Sequence, residues 1–352
     1  MAAYLLAFIA PLLLLPLRKK NSTAYVFILA GLWSVFAGLR LDIGGKDYFT
    51  YRDAYASIAS GSIGIGARFE PLFQMLMQFS HGLGMPYHGF LLIVALLGIL
   101  PAVYVVERRS GDSPIGLYVY GIEFMLYGSF VILRQGIAIG IAFLVIDAVL
   151  DRKSIKALIF SVLAAGFHYS GFLLLLYPLL SKELSPRLRN AVFAAAAAAG
   201  AVFLVVTLSS LSSLIWTSFT DRFIHYIAGG GGMRINPLNF IEVIALFYLM
   251  YRYAWDAAPV LKNAFLMLLI FTLYGTIEAI FVRFGSYFKV AVVLLLPLAV
   301  TGAAPEKQNR HRFETNILQL GIFCYYLAKI TRWLILNLND VAVFLPYRTI
   351  FG

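Results

Sequence analysis

The chain has 352 residues, of which 61% are hydrophobic and only 13% are charged. A soluble domain usually carries about 25% charged residues, so this composition excludes an ordinary soluble protein and indicates an all-α polytopic integral membrane protein. The single cysteine excludes an intramolecular disulfide and a cysteine-ligated metal cluster. The sequence contains no nucleic-acid-binding motif, so nucleic acid is not an expected partner.

Apolar runs long enough to cross a bilayer recur along the whole chain. The predicted spans are 2–17, 23–39, 87–106, 114–128, 130–150, 189–208, 238–255, 260–281, 286–302 and 313–336. With two ambiguous segments they predict about 10–12 transmembrane helices in a single transmembrane domain, residues 1–352. The segments at about 40–69 and 209–237 are predicted to be outer loops.

The ambiguous segments are 69–84, which is short and polar, and 155–181, which is long and polar in its middle. Basic clusters mark the cytoplasmic side of a membrane protein. They occur at 18–20, 107–109, 151–156, 185–189 and 306–312. These clusters can share one side only if neither segment crosses as a simple span. We therefore expect 69–84 to be an interfacial or re-entrant helix, and 155–181 to be two half-helices with His168 near the tip. The alternative is that both segments cross.

An arginine interrupts the apolar run 129–150. Arg134, followed by Gln135, stands near the predicted outer end of this helix. A guanidinium keeps its charge in a protein, so its presence within a bilayer segment is costly and marks a functional position. On the predicted threading, the outer face is weighted towards arginine, whose fork matches phosphate oxygens. We therefore predict an anion site beneath the outer surface.

The first outer loop carries many charged and aromatic side chains. Gly44 and Gly45 permit a tight turn, and Pro71 directly after Glu70 is typical of a helix start. Asp47 and Glu70 each stand among arginines and aromatic residues, which favours a functional role over that of solvated loop residues. The loop has no Asp-x-Asp pair and the histidines are scattered, so no metal site is predicted.

Several motifs, taken in chain order, resemble one known family. They are RLDIGGKDYFTY (40–51), FEPLF (69–73), LRQGIA (133–138) and AGFHYS (165–170), followed by RFGSYF (283–288) and LPYR (345–348). The ordered set resembles the EpsG-like family of bacterial exopolysaccharide and O-antigen repeat-unit polymerases, of the Wzy type. The chain departs from the family pattern at Gly45, which occupies a threonine-like position, and at Lys46, which precedes Asp47.

The resemblance implies a GT-C-like glycosyltransferase membrane fold in the bacterial inner membrane, with an extracytoplasmic active site. Such enzymes transfer a growing glycan from undecaprenyl diphosphate to a sugar hydroxyl of the incoming lipid-linked repeat unit, without cofactor or metal. The expected partners are the undecaprenyl-diphosphate-linked oligosaccharide and membrane lipids. Chain-length regulator and flippase proteins are further candidate partners.

A diphosphate leaving group requires positive charge where its negative charge develops. The predicted diphosphate-binding residues are Arg134 and Gln135, followed by Arg40, Arg68, Arg283 and Arg348. Arg134 has an alternative interpretation as a structural arginine paired with a carbonyl or with a carboxylate such as Glu70.

His168 is the leading candidate for general base, because histidine exchanges protons near neutral pH. It could instead hydrogen-bond between the half-helices or bind the donor phosphate, and Glu70 and Asp47 are alternative bases. The residues predicted to contact sugar rings are Tyr48, Tyr51, Tyr287 and Tyr347. Tyrosines also gather at membrane interfaces without such a role.

Two other function classes stay open at this stage. A transporter or flippase of lipid-linked oligosaccharide would carry charges along a two-sided path, and the intramembrane acids Glu123 and Glu278 could couple it to protons. An O-antigen ligase would share the arginines and the histidine, but such ligases commonly have a larger outer loop.

Overall fold

The computed structural model describes residues 2–59, 69–110, 113–183, 185, 187, 237–254, 257–275, 279–301, 312–336, 344 and 346–351. Its first helices are α1 (Ala2–Leu13), α2 (Leu15–Lys20), α3 (Ser22–Gly38), α4 (Gly45–Ala59), α5 (Pro71–Gly82), α6 (Tyr87–Arg109), α7 (Ile115–Tyr120) and α8 (Leu126–Phe130). They are followed by α9 (Leu133–Leu150), α10 (Ser154–Phe167), α11 (Tyr177–Leu180), α12 (Pro237–Tyr253), α13 (Pro259–Gly275), α14 (Ala279–Thr301) and α15 (Arg312–Leu336). A π-helical turn (Gly121–Met125) joins α7 to α8, and a 3-10 helix (Tyr169–Leu176) precedes α11.

The described helices confirm an all-α polytopic membrane protein. Four stretches are long and apolar enough to cross a membrane: Ala2–Lys20, Tyr87–Arg109, Leu133–Leu150 and Phe281–Val300. Shorter apolar helices accompany them at Ser22–Gly38, Ser154–Phe167, Tyr169–Leu180 and Pro259–Gly275. The predicted span 189–208 and the loop up to residue 236 lie outside the described residues.

One predicted boundary is wrong. The predicted spans 260–281 and 286–302 place the turn between them too late, because α13 already ends at Gly275 and α14 begins at Ala279. The apolar run continues past Gly275, so hydropathy alone does not locate the turn. As a result Arg283, which we placed in the connection, lies inside the first turns of α14.

Ion pairs define one end of the helix bundle, which we call the basic end. Arg18 donates to Glu107 over 2.8 Å, and the Ser22 hydroxyl donates to the same carboxylate over 3.0 Å. The neighbouring ion pairs join Arg108 and Arg109 to Asp147 and Asp151. The start of α3 and the ends of α6 and α9 therefore meet at the basic end.

Arg134 lies at the opposite end of the bundle, which we call the Arg134 end. It stands in the first turn of the 18-residue helix α9, whose C-terminus is at the basic end. At a rise of 1.5 Å per residue, α9 separates the two ends by about 27 Å, close to the thickness of a bilayer core.

The segment between α3 and α6 stays at the Arg134 end. The end of α3 packs against the start of α6, where Gly38 lies against the backbone of Leu92. Both ends of residues 39–86 are therefore on the same side of the bundle. Helix α5 has only 12 residues, too few to cross a bilayer. This arrangement is the one expected for a segment 69–84 that does not cross as a simple span.

Residues 155–181 form two short helices with a sharp reversal between them. Helix α10 begins beside the basic end and stops at His168, whose backbone is extended at φ −155° and ψ 122°. Gly171 then lies against the backbone of Ala164 and Ala165, six to seven residues earlier, so the chain has turned back on itself. The predicted pair of half-helices with His168 at the tip is confirmed.

Glycines bring α6 and α9 into backbone contact. Gly98 of α6 faces Gly136 and Gly140 of α9, and a Cβ on Gly140 would clash with the Gly98 carbonyl oxygen. Gly128 of α8 packs against Gly136 in the same way. Small residues let membrane helices approach this closely. The contact fixes the position of the first turn of α9, and with it Arg134.

Replacing Gly140 with valine should destabilise the protein. The new side chain would overpack the α6–α9 contact, so we expect the free energy of unfolding to fall by about 1–3 kcal/mol. The measurement is thermal unfolding in detergent. Gly31→Val is the matched control, because a Cβ on Gly31 meets no atom within 4 Å. Equal unfolding temperatures for the two variants would contradict the contact.

Candidate active site

The carboxylate of Glu70 joins three distant parts of the chain. Glu70 precedes Pro71 at the start of α5, yet its side chain does not cap that helix and is only 3% exposed. One oxygen accepts from Arg134 Nη1 over 2.5 Å. The other lies 2.8 Å from His168 Nδ1 and accepts from the Tyr169 backbone N–H over 3.3 Å. Two of the strongest site predictions, Arg134 and His168, thus meet on a third, Glu70.

Arg134 is held on one side of its guanidinium and open on the other. Its Nε donates to the Tyr51 hydroxyl over 3.2 Å, and the group lies 4.9 Å from the centre of the Phe69 ring. Its Nη2 has no hydrogen-bond partner among the residues that the structure describes, and a quarter of the side chain is exposed. Arg134 does pair with Glu70, as its alternative structural interpretation predicted. This pairing nevertheless leaves N–H donors of the guanidinium available for an anion.

His168 projects from the tip of the half-helix pair, where α10 has ended and the 3-10 helix has not begun. Its Nδ1 faces Glu70, while Nε2 has no partner among the described residues and 21% of the side chain is exposed. A carboxylate accepting from Nδ1–H fixes the tautomer in which Nε2 carries a lone pair. This is the arrangement that a general base needs.

The electrostatics of Glu70 favour His168 over Glu70 as the base. Burial alone would raise the pKa of the Glu70 carboxyl, but hydrogen bonds from His168 and Arg134 outweigh burial and lower the pKa to about 2. Glu70 is therefore ionised at neutral pH and accepts protons poorly. Its carboxylate is suited to holding the imidazole and the guanidinium in place.

Gln135 and Arg283 connect α9 to α14 beside the site. The buried Gln135 amide donates to the Arg283 backbone carbonyl over 2.8 Å, which supports the start of α9 from a second helix. The Arg283 side chain is exposed, as is Asp47 in the first turn of α4. Both lie within electrostatic range of Tyr127 of α8, at the Arg134 end.

Arg348 lies beside the start of the first loop, to which its backbone is bonded. The Arg348 side chain is exposed, and its backbone carbonyl accepts from the Leu41 N–H over 2.9 Å. Arg68 lies outside the described residues, as does the intramembrane acid Glu278.

The predicted role of Arg40 in diphosphate binding is corrected by its surroundings. The side chain is fully buried, and its guanidinium donates to the backbone carbonyls of Ala37, Ile43 and Phe130. It also lies over the Phe130 ring. Burial lowers the pKa of Arg40 to about 10, so it keeps its charge at neutral pH. Arg40 joins the first loop to the end of α8 and does not face a substrate.

Three of the four predicted sugar-stacking tyrosines have no exposed ring face. The rings of Tyr48, Tyr51 and Tyr287 are buried, and Tyr347 stacks on Phe36 with 4.6 Å between ring centres. The Tyr287 hydroxyl instead hydrogen-bonds to Ser170, two residues after His168, over 2.9 Å. Tyr48, Tyr51 and Tyr287 therefore pack within the protein rather than offer a ring face to a sugar, whereas a sugar contact at the partly exposed Tyr347 stays a prediction.

Sequence reasoning missed three groups at the Arg134 end of the bundle. The Phe69 ring under Arg134 stood inside a quoted motif, but an aromatic residue there gives no sign of its partner. The Tyr169 N–H and the half-exposed Tyr127 had no distinguishing sequence signal. No group of three or more His, Cys, Asp or Glu side chains suited to a metal ion occurs within the described ranges.

The low pKa of Glu70 predicts acid sensitivity. A carboxyl whose pKa is about 2 in the folded protein and 4.5 ordinarily stabilises the fold above the higher value, and this stabilisation is lost as pH falls towards the lower one. We expect the unfolding temperature of the wild type to fall between about pH 6 and pH 3 by more than that of Glu70→Gln. If the unfolding temperatures of the two proteins fell in parallel with pH, the Glu70 bridge, in which this carboxylate pairs with both Arg134 and His168, would be contradicted.

No curated protein and no solved structure matches the chain at a significant level. The family model described as the EpsG family matches residues 23–349. The matched range includes the first loop, Arg134 and His168. A match of this extent supports a polysaccharide polymerase-type role in broad terms. The chain belongs to the EpsG family.

Proposed function

We propose that this protein polymerises lipid-linked glycan repeat units. It would transfer a growing glycan from undecaprenyl diphosphate to a sugar hydroxyl of the incoming lipid-linked unit. The observation that carries this proposal is the Glu70 bridge, which holds Arg134 and His168 side by side while Arg134 Nη2 and His168 Nε2 remain without partners among the described residues. One group suits an anionic leaving group, and the other suits a hydroxyl nucleophile.

The proposed step balances as a direct displacement. His168 Nε2 takes the proton of the acceptor hydroxyl, whose oxygen attacks the anomeric carbon of the growing glycan. The bond from that carbon to the diphosphate oxygen breaks, and its electron pair leaves with undecaprenyl diphosphate. Arg134 stabilises the added negative charge, and Glu70 stabilises the imidazolium. A single displacement inverts the configuration at the anomeric carbon.

The charge distribution supports an extracytoplasmic site in the bacterial inner membrane. The basic end carries Arg18, Arg108, Arg109 and Lys153. Positively charged ends face the cytoplasm. The Glu70 carboxylate lies at the opposite end of α9, which on this orientation is the outer one.

Arg134→Ala and His168→Ala should each abolish polymerisation, because each removes a group that acts on the reacting atoms. We expect kcat to fall by about 100-fold or more in either variant, with normal membrane insertion. The measurement is the length distribution of the glycan made in cells and by the purified protein. A wild-type distribution from either variant would contradict its assigned role.

Arg134→Lys separates charge from geometry. Lysine supplies a point charge but not the planar fork that reaches Glu70, Tyr51 and a phosphate together, so this variant should also fail. Matched controls are Arg252→Lys, an exposed arginine on α12, and His81→Ala, a histidine on α5 beside Tyr55. Both controls should polymerise normally.

The decisive test of the function is reconstitution. Purified protein, the cell's own lipid-linked repeat unit and EDTA should give a ladder of products, since the proposed step uses protein groups in place of a divalent metal. A single transfer to another acceptor would select a ligase, and movement of the substrate across the bilayer without elongation would select a flippase. Either result would overturn the polymerase.

A further inference from the structure

A second cluster of charges lies inside the bundle, away from Glu70. Glu123 sits in the π-helical turn Gly121–Met125 and pairs with Lys289 of α14 and with Lys329 of α15, the latter over 2.5 Å. Lys329 also donates to Glu242 of α12 over 2.7 Å. We call these four residues the ion tetrad. Its charges cancel, and π-helical turns within helices are frequent at functional sites.

The ion tetrad is buried on one side and open on the other. The side chains of Glu123 and Glu242 are each 6% exposed, whereas those of Lys289 and Lys329 are 25% and 28% exposed. The tetrad lies about 10 Å deep from the Arg134 end, because Glu123 precedes Phe130 by seven residues. An intramembrane cluster with accessible lysines indicates a polar space beside it.

Three helices each place an exposed polar residue between the tetrad and the Arg134 end. Tyr127 follows Glu123 by four residues, Ser286 and Arg283 precede Lys289, and Arg332 follows Lys329 by three residues. Helices α8 and α15 run towards the Arg134 end and α14 begins there, since Phe130, the Arg283 carbonyl and Trp333 all lie on that side. Among the described residues, the side chains of Tyr127, Arg283 and Arg332 form no hydrogen bond or ion pair, although Arg283 lies within electrostatic range of Tyr127.

We propose that α8, α14 and α15 enclose a water-filled cleft that binds the glycan of the lipid-linked substrate. We call it the polar cleft, with Tyr127, Arg283, Ser286 and Arg332 as its walls and the ion tetrad as its floor. This inference rests on the proposed function, and it adds a binding site to it. The cleft opens beside Glu70, because Arg283 is tied through its carbonyl to Gln135, the neighbour of Arg134.

The chemistry of the walls fits a carbohydrate. A half-exposed tyrosine offers a ring face and a hydroxyl, while arginine and serine offer donors to sugar hydroxyls. The charges of the ion tetrad are paired with one another and cancel. The cleft therefore suits a polar glycan whether or not that glycan is charged. Tyr127 replaces the buried tyrosines as the aromatic residue placed to contact a sugar ring.

Cysteine accessibility tests whether the cleft holds water, independently of any enzymatic activity. The full chain with the exposed Cys324 changed to serine is reconstituted in phospholipid vesicles. Ser286→Cys should react with a charged methanethiosulfonate reagent at least about tenfold faster than Ile159→Cys, because the thiolate forms only in water. Ile159 is an exposed apolar residue of α10. Equal rates would overturn the cleft.

Protection tests the ligand. The probe is the oligosaccharide released by mild acid from the cell's lipid-linked intermediates, with maltoheptaose for comparison. The released oligosaccharide should slow labelling of Ser286→Cys by roughly threefold or more, as expected when about two-thirds or more of the sites are occupied. Unchanged labelling in a preparation that elongates glycan would overturn the glycan site. Protection in a preparation that elongates nothing would support the site and overturn the polymerase.

A kinetic comparison locates the contact. Tyr127→Ala should raise the KM for the lipid-linked acceptor by about tenfold and change kcat little, because the ring binds substrate and transition state alike. Tyr104→Ala is the control, since Tyr104 is an equally exposed tyrosine on α6. The same KM for both variants would contradict a sugar contact at Tyr127.

Discussion

The buried carboxylate of Glu70 is the constraint on which the site depends. A buried charge is stable only when it is paired and hydrogen-bonded, and Glu70 obtains its partners from the first turn of α9 and from the tip of the half-helix pair. Since these elements are far apart in sequence, one carboxylate decides where they meet. The positions of the guanidinium and the imidazole relative to each other follow from it.

The parts that hold this carboxylate differ in how they are fixed. Arg134 stands on α9, which the glycine contact with α6 holds at backbone distance. His168 stands at a chain reversal, where Gly171 packs against α10 and Ser170 bonds to Tyr287. Helix α14 supports both, because its Arg283 carbonyl accepts from Gln135 beside Arg134. Arg134 and His168 are therefore held by packed helices, although one lies at the start of a helix and the other at the end of one.

The sequence predicted the elements of the site better than its contacts. Arg134 stood out because charge within an apolar run is costly, and the reversal at His168 followed from the need to keep the basic clusters on one side. In the sequence, Arg40 was as good a candidate for anion binding as Arg134. Only its burial among backbone carbonyls distinguishes it. The pairing of Glu123 with lysines of α14 and α15 could not be predicted either, because a single sequence does not show which distant residues are in contact.

The pairing of residue 349 with the first loop has a consequence for biosynthesis. Leu41 donates to the Arg348 carbonyl, Ile350 donates to the Leu39 carbonyl, and Tyr347 packs on Phe36. These contacts secure the loop that leads to Glu70, yet they form only after the ribosome has translated through Ile350. A chain that ended after α14 would lack these contacts with its first loop. Docking of the loop that leads to Glu70 thus depends on the synthesis of residues 347–350.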